Sequence, residues 1–77
     1  MEPVFSFVIA AYTHLDGTLD IQIYDDCVDQ VDALVTYAED EGYHDIPDVD
    51  GLEDEDALMI MMHWLEDSDV SVAVKQL

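Results

Sequence analysis

Carboxylates are the residues in this chain whose type and spacing carry chemistry. Between Glu39 and Asp56, eighteen residues hold ten of them: Glu39, Asp40, Glu41, Asp45, Asp48, Asp50, Glu53, Asp54, Glu55 and Asp56. No Lys or Arg interrupts the series. Asp25, Asp26, Asp29 and Asp32 form a second series upstream, and the whole chain sets twenty acids against one Lys, a formal charge of −19. Such a constellation has three chemical uses: to ligate a cation, to pair carboxylates for acid–base catalysis, or to attract a cationic partner.

Cation ligation fits poorly. Asp48-Val49-Asp50-Gly51 has the look of an EF-hand loop. Aligning Gly51 with the glycine that the loop requires puts Ile46 at the first ligand position and Ala57 at the bidentate glutamate. Neither can ligate, so adventitious cation binding is expected and a dedicated metal site is not. His14, His44 and His63 share no ligand spacing with one another or with Cys27. They read as one His near a turn, one in a loop and one on a helix.

Catalysis has no better support. With carboxylates this abundant, a close pair carries no information about general acid–base work. No Ser-His-acid or Gly-rich arrangement appears. The helix dipole would activate Cys27, but Asp25, Asp26 and Asp29 oppose a thiolate, so Cys27 reads as a small core residue. A protein without enzymatic activity and without cofactors is expected.

That leaves a cationic partner. With a Debye length of ~8 Å at physiological salt, neighbouring carboxylates on a small domain still repel one another. The charge excludes direct nucleic-acid binding, because no cationic patch can be assembled. It also argues against anionic lipid. A basic partner, a cation or a high-salt solvent is favoured.

The elements that must position these acids are legible. Val4–Tyr12 is uncharged and rich in aromatic and β-branched residues, and reads as a strand apolar on both faces. It leads to Asp16-Gly17, a type I′ hairpin signal, and Thr18–Tyr24 returns with strict alternation. A two-residue turn pairs Leu15 with Thr18, His14 with Leu19, Tyr12 with Ile21 and Ala10 with Ile23. One face then carries Val8, Ala10, Tyr12, Leu19, Ile21 and Ile23 and is expected to be the core. On the other, the aromatic end of Phe5, Phe7, Ile9 and Tyr24 needs a covering loop or a partner protein.

Asp25-Asp26 are N-cap candidates for a helix over about 26–41, with Val28, Val31, Leu34, Val35 and Ala38 at helical spacing and Gly42 at C′. Its outer face carries Asp29, Asp32, Thr36, Glu39 and Asp40. Residues 43–53 read as an acidic loop broken by Pro47 and Gly51. Asp54-Glu55-Asp56 opens a second helix through Leu65, apolar nearly all round by virtue of Met59, Ile60 and Trp64. Val70–Lys75 is a last alternating strand. Both helices carry acids at their C-terminal ends, where the macrodipole is already negative and each costs about 0.3–1 kcal/mol.

The order β-β-α-α-β predicts an α+β two-layer sandwich. Its three-stranded sheet has the first strand central, with two helices on the Tyr12/Ile21 face and the last strand parallel to the first. Seventy-seven residues make a single small acidic domain near the limit where one core suffices. Hydrophobic residues at 51% argue against disorder despite the charge. One cysteine allows neither an internal disulfide nor a zinc motif. Met1-Glu2-Pro3 lacks the basic start of a signal peptide, and the apolar run is too short to span a bilayer, so a cytoplasmic location away from membranes is expected.

A tiny, strongly acidic α+β chain with almost no Lys or Arg resembles the phage-encoded DNA-mimic inhibitors: anti-restriction proteins, the uracil-DNA glycosylase inhibitor class and many anti-CRISPR proteins. The resemblance lies in size and charge over the whole chain. It implies carboxylates standing in for DNA phosphates in the cationic groove of a nucleic-acid-binding protein or ribonucleoprotein complex, in the cytoplasm of a host cell. On that reading the contact set is Asp29 and Asp32 together with the ten acids of the Glu39–Asp56 series, and Phe5, Phe7, Tyr24, Tyr43 and Trp64 are candidates to add apolar affinity. Two other readings keep the same charge. One is adaptation to high salt in a protein of unrelated function. The other is an acidic regulatory subunit or antitoxin that neutralises a basic partner and forms a homodimer through the second helix.

Overall fold

A computed structural model of the chain describes residues 3–77, so the expectation drawn from Met1 and Glu2 concerns residues outside the described ones. Its elements are β1 (Phe5–Thr13), β2 (Thr18–Cys27), α1 (Gln30–Asp40), α2 (Asp54–Glu66) and β3 (Val70–Gln76). The sheet order is β2-β1-β3, and both helices cover one face of the sheet, giving the expected α+β sandwich with the first strand central.

Four details differ from expectation, each for a definable reason. The hairpin loop is four residues long, His14–Gly17, and Thr13 pairs with Thr18, Tyr12 with Leu19 and Ala10 with Ile21. A type I′ turn needs φ > 0 at both central residues, and here only Gly17 has it, at 71°. Gly17 N–H instead donates to Thr13 O at 2.9 Å, and Thr18 N–H to the Asp16 side chain at 3.0 Å. His14 is drawn away from β2: its N–H donates to Asp69 O at 2.8 Å and its ring lies 2.7 Å from Ser71 Oγ. The register moves by two residues, an even number, so each residue keeps its face.

The core lies on the other face. Phe7, Ile9 and Ala11 are buried, whereas Tyr12 is 40% exposed, Leu19 59% and Ile21 and Ile23 61% each. β1 is apolar on both sides and cannot choose. β3 can: Val74 stands opposite Ile9, Val72 opposite Ala11 and Val70 opposite Thr13. β3 therefore decides for the Ile9 side, where β1 also offers Phe7 and Ile9. β2 alone, which supplied the alternation, is outvoted, and Phe7 joins the core without needing a loop over it.

β3 runs antiparallel to β1, not parallel. Two helical traverses would have made it parallel, but the stretch 41–53 supplies a third. It carries the chain back so that Asp50 and Asp54 lie beside Val28, Asp29 and Asp32 at the start of α1. Both helices thus start at one end of the sheet, and a three-residue link from α2 drops directly into β3.

α1 begins later than expected because β2 continues to Cys27 through a bulge opposite Phe5/Phe7, with Asp26 at φ 61°. Asp29 is the N-cap and accepts from Asp32 N–H at 2.8 Å, while the Asp32 carboxylate accepts from Val28 N–H at 3.1 Å. The buried face of α1 is Ala33, Leu34, Tyr37 and Ala38; Val31 and Val35 only flank it, and Val28 lies outside the helix and is exposed. Gly42, at φ 80°, closes the helix as expected at C′: its N–H reaches Glu39 O and that of Tyr43 reaches Ala38 O, both at 3.1 Å. α2 buries Ala57, Met61 and Leu65, and leaves Met59 and Ile60 outside.

Candidate partner-binding surface

All ten carboxylates of the Glu39–Asp56 series are exposed. Asp29 and Asp32 are half-buried, and their lone pairs are partly committed to capping α1. The fold does not hold the acids as one row; it sorts them by helix end. At the shared N-terminal end, Asp29, Asp32, Asp50 and Asp54 rim a shallow depression floored by Val31, Val35, Val49 and Ala57. Glu53 precedes α2 as its N-cap residue without a side-chain cap bond, and Asp54, Glu55 and Asp56 form its first turn. There the positive end of the helix dipole favours them.

Glu39, Asp40 and Glu41 stand at the other end, about 16 Å along α1 at 1.5 Å per residue. No basic residue lies in the last turn of that helix, so the dipole opposes all three. Asp45 and Asp48 are exposed positions on the return stretch between the two ends. Asp45 adopts φ 58°, and Asp48 accepts from Asp50 N–H at 3.1 Å.

The acids also alter their aromatic neighbours. Burial, with the nearby Asp40 carboxylate second, pushes the Tyr24 phenol up to about 12. Tyr37 is likewise pushed up to about 12, first by burial and then by Tyr43, Glu41 and Asp20. Burial raises Tyr43, with Glu41 adding to it. The Cys27 thiol is raised by burial and then by Asp32, Asp26, Asp25 and Asp29, the opposite of what a reactive thiolate requires. Asp16 is held low by its hydrogen bonds with Thr18.

The aromatic residues expected to add affinity are mostly engaged elsewhere. Phe7 is in the core, and Tyr43 and Trp64 pack edge to face at 5.2 Å against it. Tyr24 is half-buried, and Phe5, at 40%, alone of the five is exposed. The exposed apolar groups that sequence reasoning missed are Leu19, Ile21 and Ile23, because they were assigned to the core. Their signal was available in β3, whose three valines alternate toward the other face. Among the described residues, no group of three or more His, Cys, Asp or Glu is placed to hold a metal ion. None of the helices there is long and apolar enough to cross a membrane.

No protein-family model matches the chain, and no curated protein or solved structure is detectably similar to it.

Proposed function

We propose that this protein is an inhibitor that occupies the cationic DNA-binding groove of a nucleic-acid-processing complex in the cytoplasm. The first target to test is a CRISPR interference complex, blocked at target-DNA recognition by mimicry of the phosphate backbone. The observation that carries the reading is that all ten carboxylates from Glu39 to Asp56 are exposed on a two-layer frame. A groove built for DNA is lined with Lys and Arg, and a polyanion that displaces their counter-ions gains affinity with no sequence readout. Long-range attraction also speeds encounter. Charge held by helices and capped loops reaches the groove already ordered, an advantage over a flexible acidic tail.

The placement at α1's C-terminus supports the same reading. Three acids against an opposing dipole cost about 1–3 kcal/mol together, a local loss that a surface serving solubility alone has no need to carry.

The test is an electrophoretic shift of the effector on its target DNA, with and without this protein. Inhibition should compete with DNA and weaken steeply as salt rises. Reversal of Asp40-Glu41 or of Asp54-Glu55-Asp56 to Lys should abolish it with the circular dichroism spectrum unchanged, while each single Asp→Asn change costs only about 0.2–1 kcal/mol. DNA still bound at saturating protein, with the reversals silent, refutes mimicry and assigns the charge to solubility or salt tolerance.

A further inference from the structure

The face of the sheet turned away from the helices is chemically unlike the rest of the molecule. Tyr12, Leu19, Ile21 and Ile23 stand on it, 40–61% exposed, around the small side chain of Ala10. By register, the same face of β3 presents Lys75, the only basic side chain besides histidine in the protein. From Val8 to Tyr12, Leu19 to Ile23 and Ser71 to Lys75 no outward position is a carboxylate, in a chain with twenty of them.

We infer that this face is the interface of a homodimer, two copies stacking their sheets back to back in an α/β/β/α sandwich. Charge decides the occupant. A basic partner gains little from a face whose central positions carry no acid and whose Asp25, at the far end of β2, already accepts a hydrogen bond from Ser6 Oγ, whereas two copies at −19 can meet closely over that acid-free centre. The competing apolar surface, the groove beside Met59 and Met62 on α2, fails that condition, because Glu55 and Glu66 line it and would face their own copies across a two-fold axis.

Size sets the strength. Three strands about 4.8 Å apart and seven residues long at about 3.3 Å each project roughly 14 × 23 Å, and the standing side chains enlarge the accessible area beyond that. Such a patch falls at the low end of specific interfaces, near about 1,200 Å2 for both copies together. A dissociation constant in the micromolar range is therefore expected, tightening as salt screens the repulsion between copies. Groove binding should show the reverse salt dependence, so either inference can fail without the other.

Sedimentation velocity over a range of concentrations, in ~0.15 M and ~1 M salt, tests this. The expected result is a monomer–dimer equilibrium that strengthens at high salt and is weakened at least tenfold by Ile21→Lys, by Ile23→Lys, and by Leu19→Lys as the variant nearest the turn. Each of these reduces the net negative charge and so the overall repulsion between copies, and loss of the dimer then reports a charge buried in the interface itself. Met59→Lys with Ile60→Lys on α2 should leave the dimer intact. A monomer at all concentrations up to about 1 mM overturns the inference. So does a dimer that survives the sheet variants, or one that only the α2 variants dissolve.

Discussion

Ile9 and Ile21 form a matched pair for deciding which side of the sheet is the core. Both are isoleucines, Ile9 in the central strand and Ile21 in the neighbouring edge strand, so truncation to alanine removes the same atoms from each. What differs is burial: Ile9 is fully buried and packs beneath the helices, while Ile21 is 61% exposed on the opposite face. Removing a fully buried isoleucine costs about 2–5 kcal/mol in lost transfer energy plus a residual cavity. For Ile21, with most of its surface already in water and no cavity to leave, the cost is about 1 kcal/mol or less. A domain of this size has a total stability of roughly 4–12 kcal/mol, and each kcal/mol moves Tm by about 4–8 °C. Ile9→Ala should therefore lower Tm by at least about 8 °C and bring the urea midpoint down in proportion. Ile21→Ala should lower Tm by no more than about 8 °C. Both are measured at low micromolar protein, where self-association does not contribute. Equal shifts, or a larger one for Ile21, would refute the assignment of the core to the Phe7–Ile9–Ala11 face and restore the alternation of β2 as the guide.

Three further outcomes follow from the charge and the caps. Added salt should raise Tm by several degrees, because nineteen uncompensated charges repel within a Debye length at low ionic strength; a melt insensitive to salt contradicts that picture. Tyr24 and Tyr37 are raised in the folded state from an ordinary value of 10.0 to about 12. The stability they contribute is fully present below pH 10 and is lost as pH rises from there toward 12, so alkaline melts should steepen across that window and Tyr37→Phe should flatten the dependence. Gly42→Ala forces a side chain into φ 80° with open space around it, so the cost is conformational alone. It should be about 1–2 kcal/mol, a Tm loss of roughly 4–16 °C, and an unchanged Tm would contradict the helix-closing geometry.

Much of this protein was written locally. The uncharged run through β1, the alternation of β2, the helical spacing of α1 and α2, and Gly42 at a helix end each depend on neighbours a few residues away, and these fixed the order β-β-α-α-β and the central first strand. The ten acids from Glu39 to Asp56 could be named as exposed from their charge alone, because an unpaired carboxylate cannot be buried at tolerable cost, whereas Asp29 and Asp32 are half-buried and accept backbone N–H bonds there. Three things were decided only when distant elements met. The hairpin register depended on His14 finding Asp69 and Ser71, more than fifty residues away, which lengthened the loop by two residues. The direction of β3 depended on how far the 41–53 stretch travels, and nothing in its Pro, Gly and Asp composition encodes a length in space. The core face depended on a sum over three strands: β2 taken alone points Leu19, Ile21 and Ile23 inward, but the helices bury the side where Phe7, Ile9 and the three valines of β3 reinforce one another. A strand that alternates perfectly says which residues travel together, and only its partners determine which set meets water.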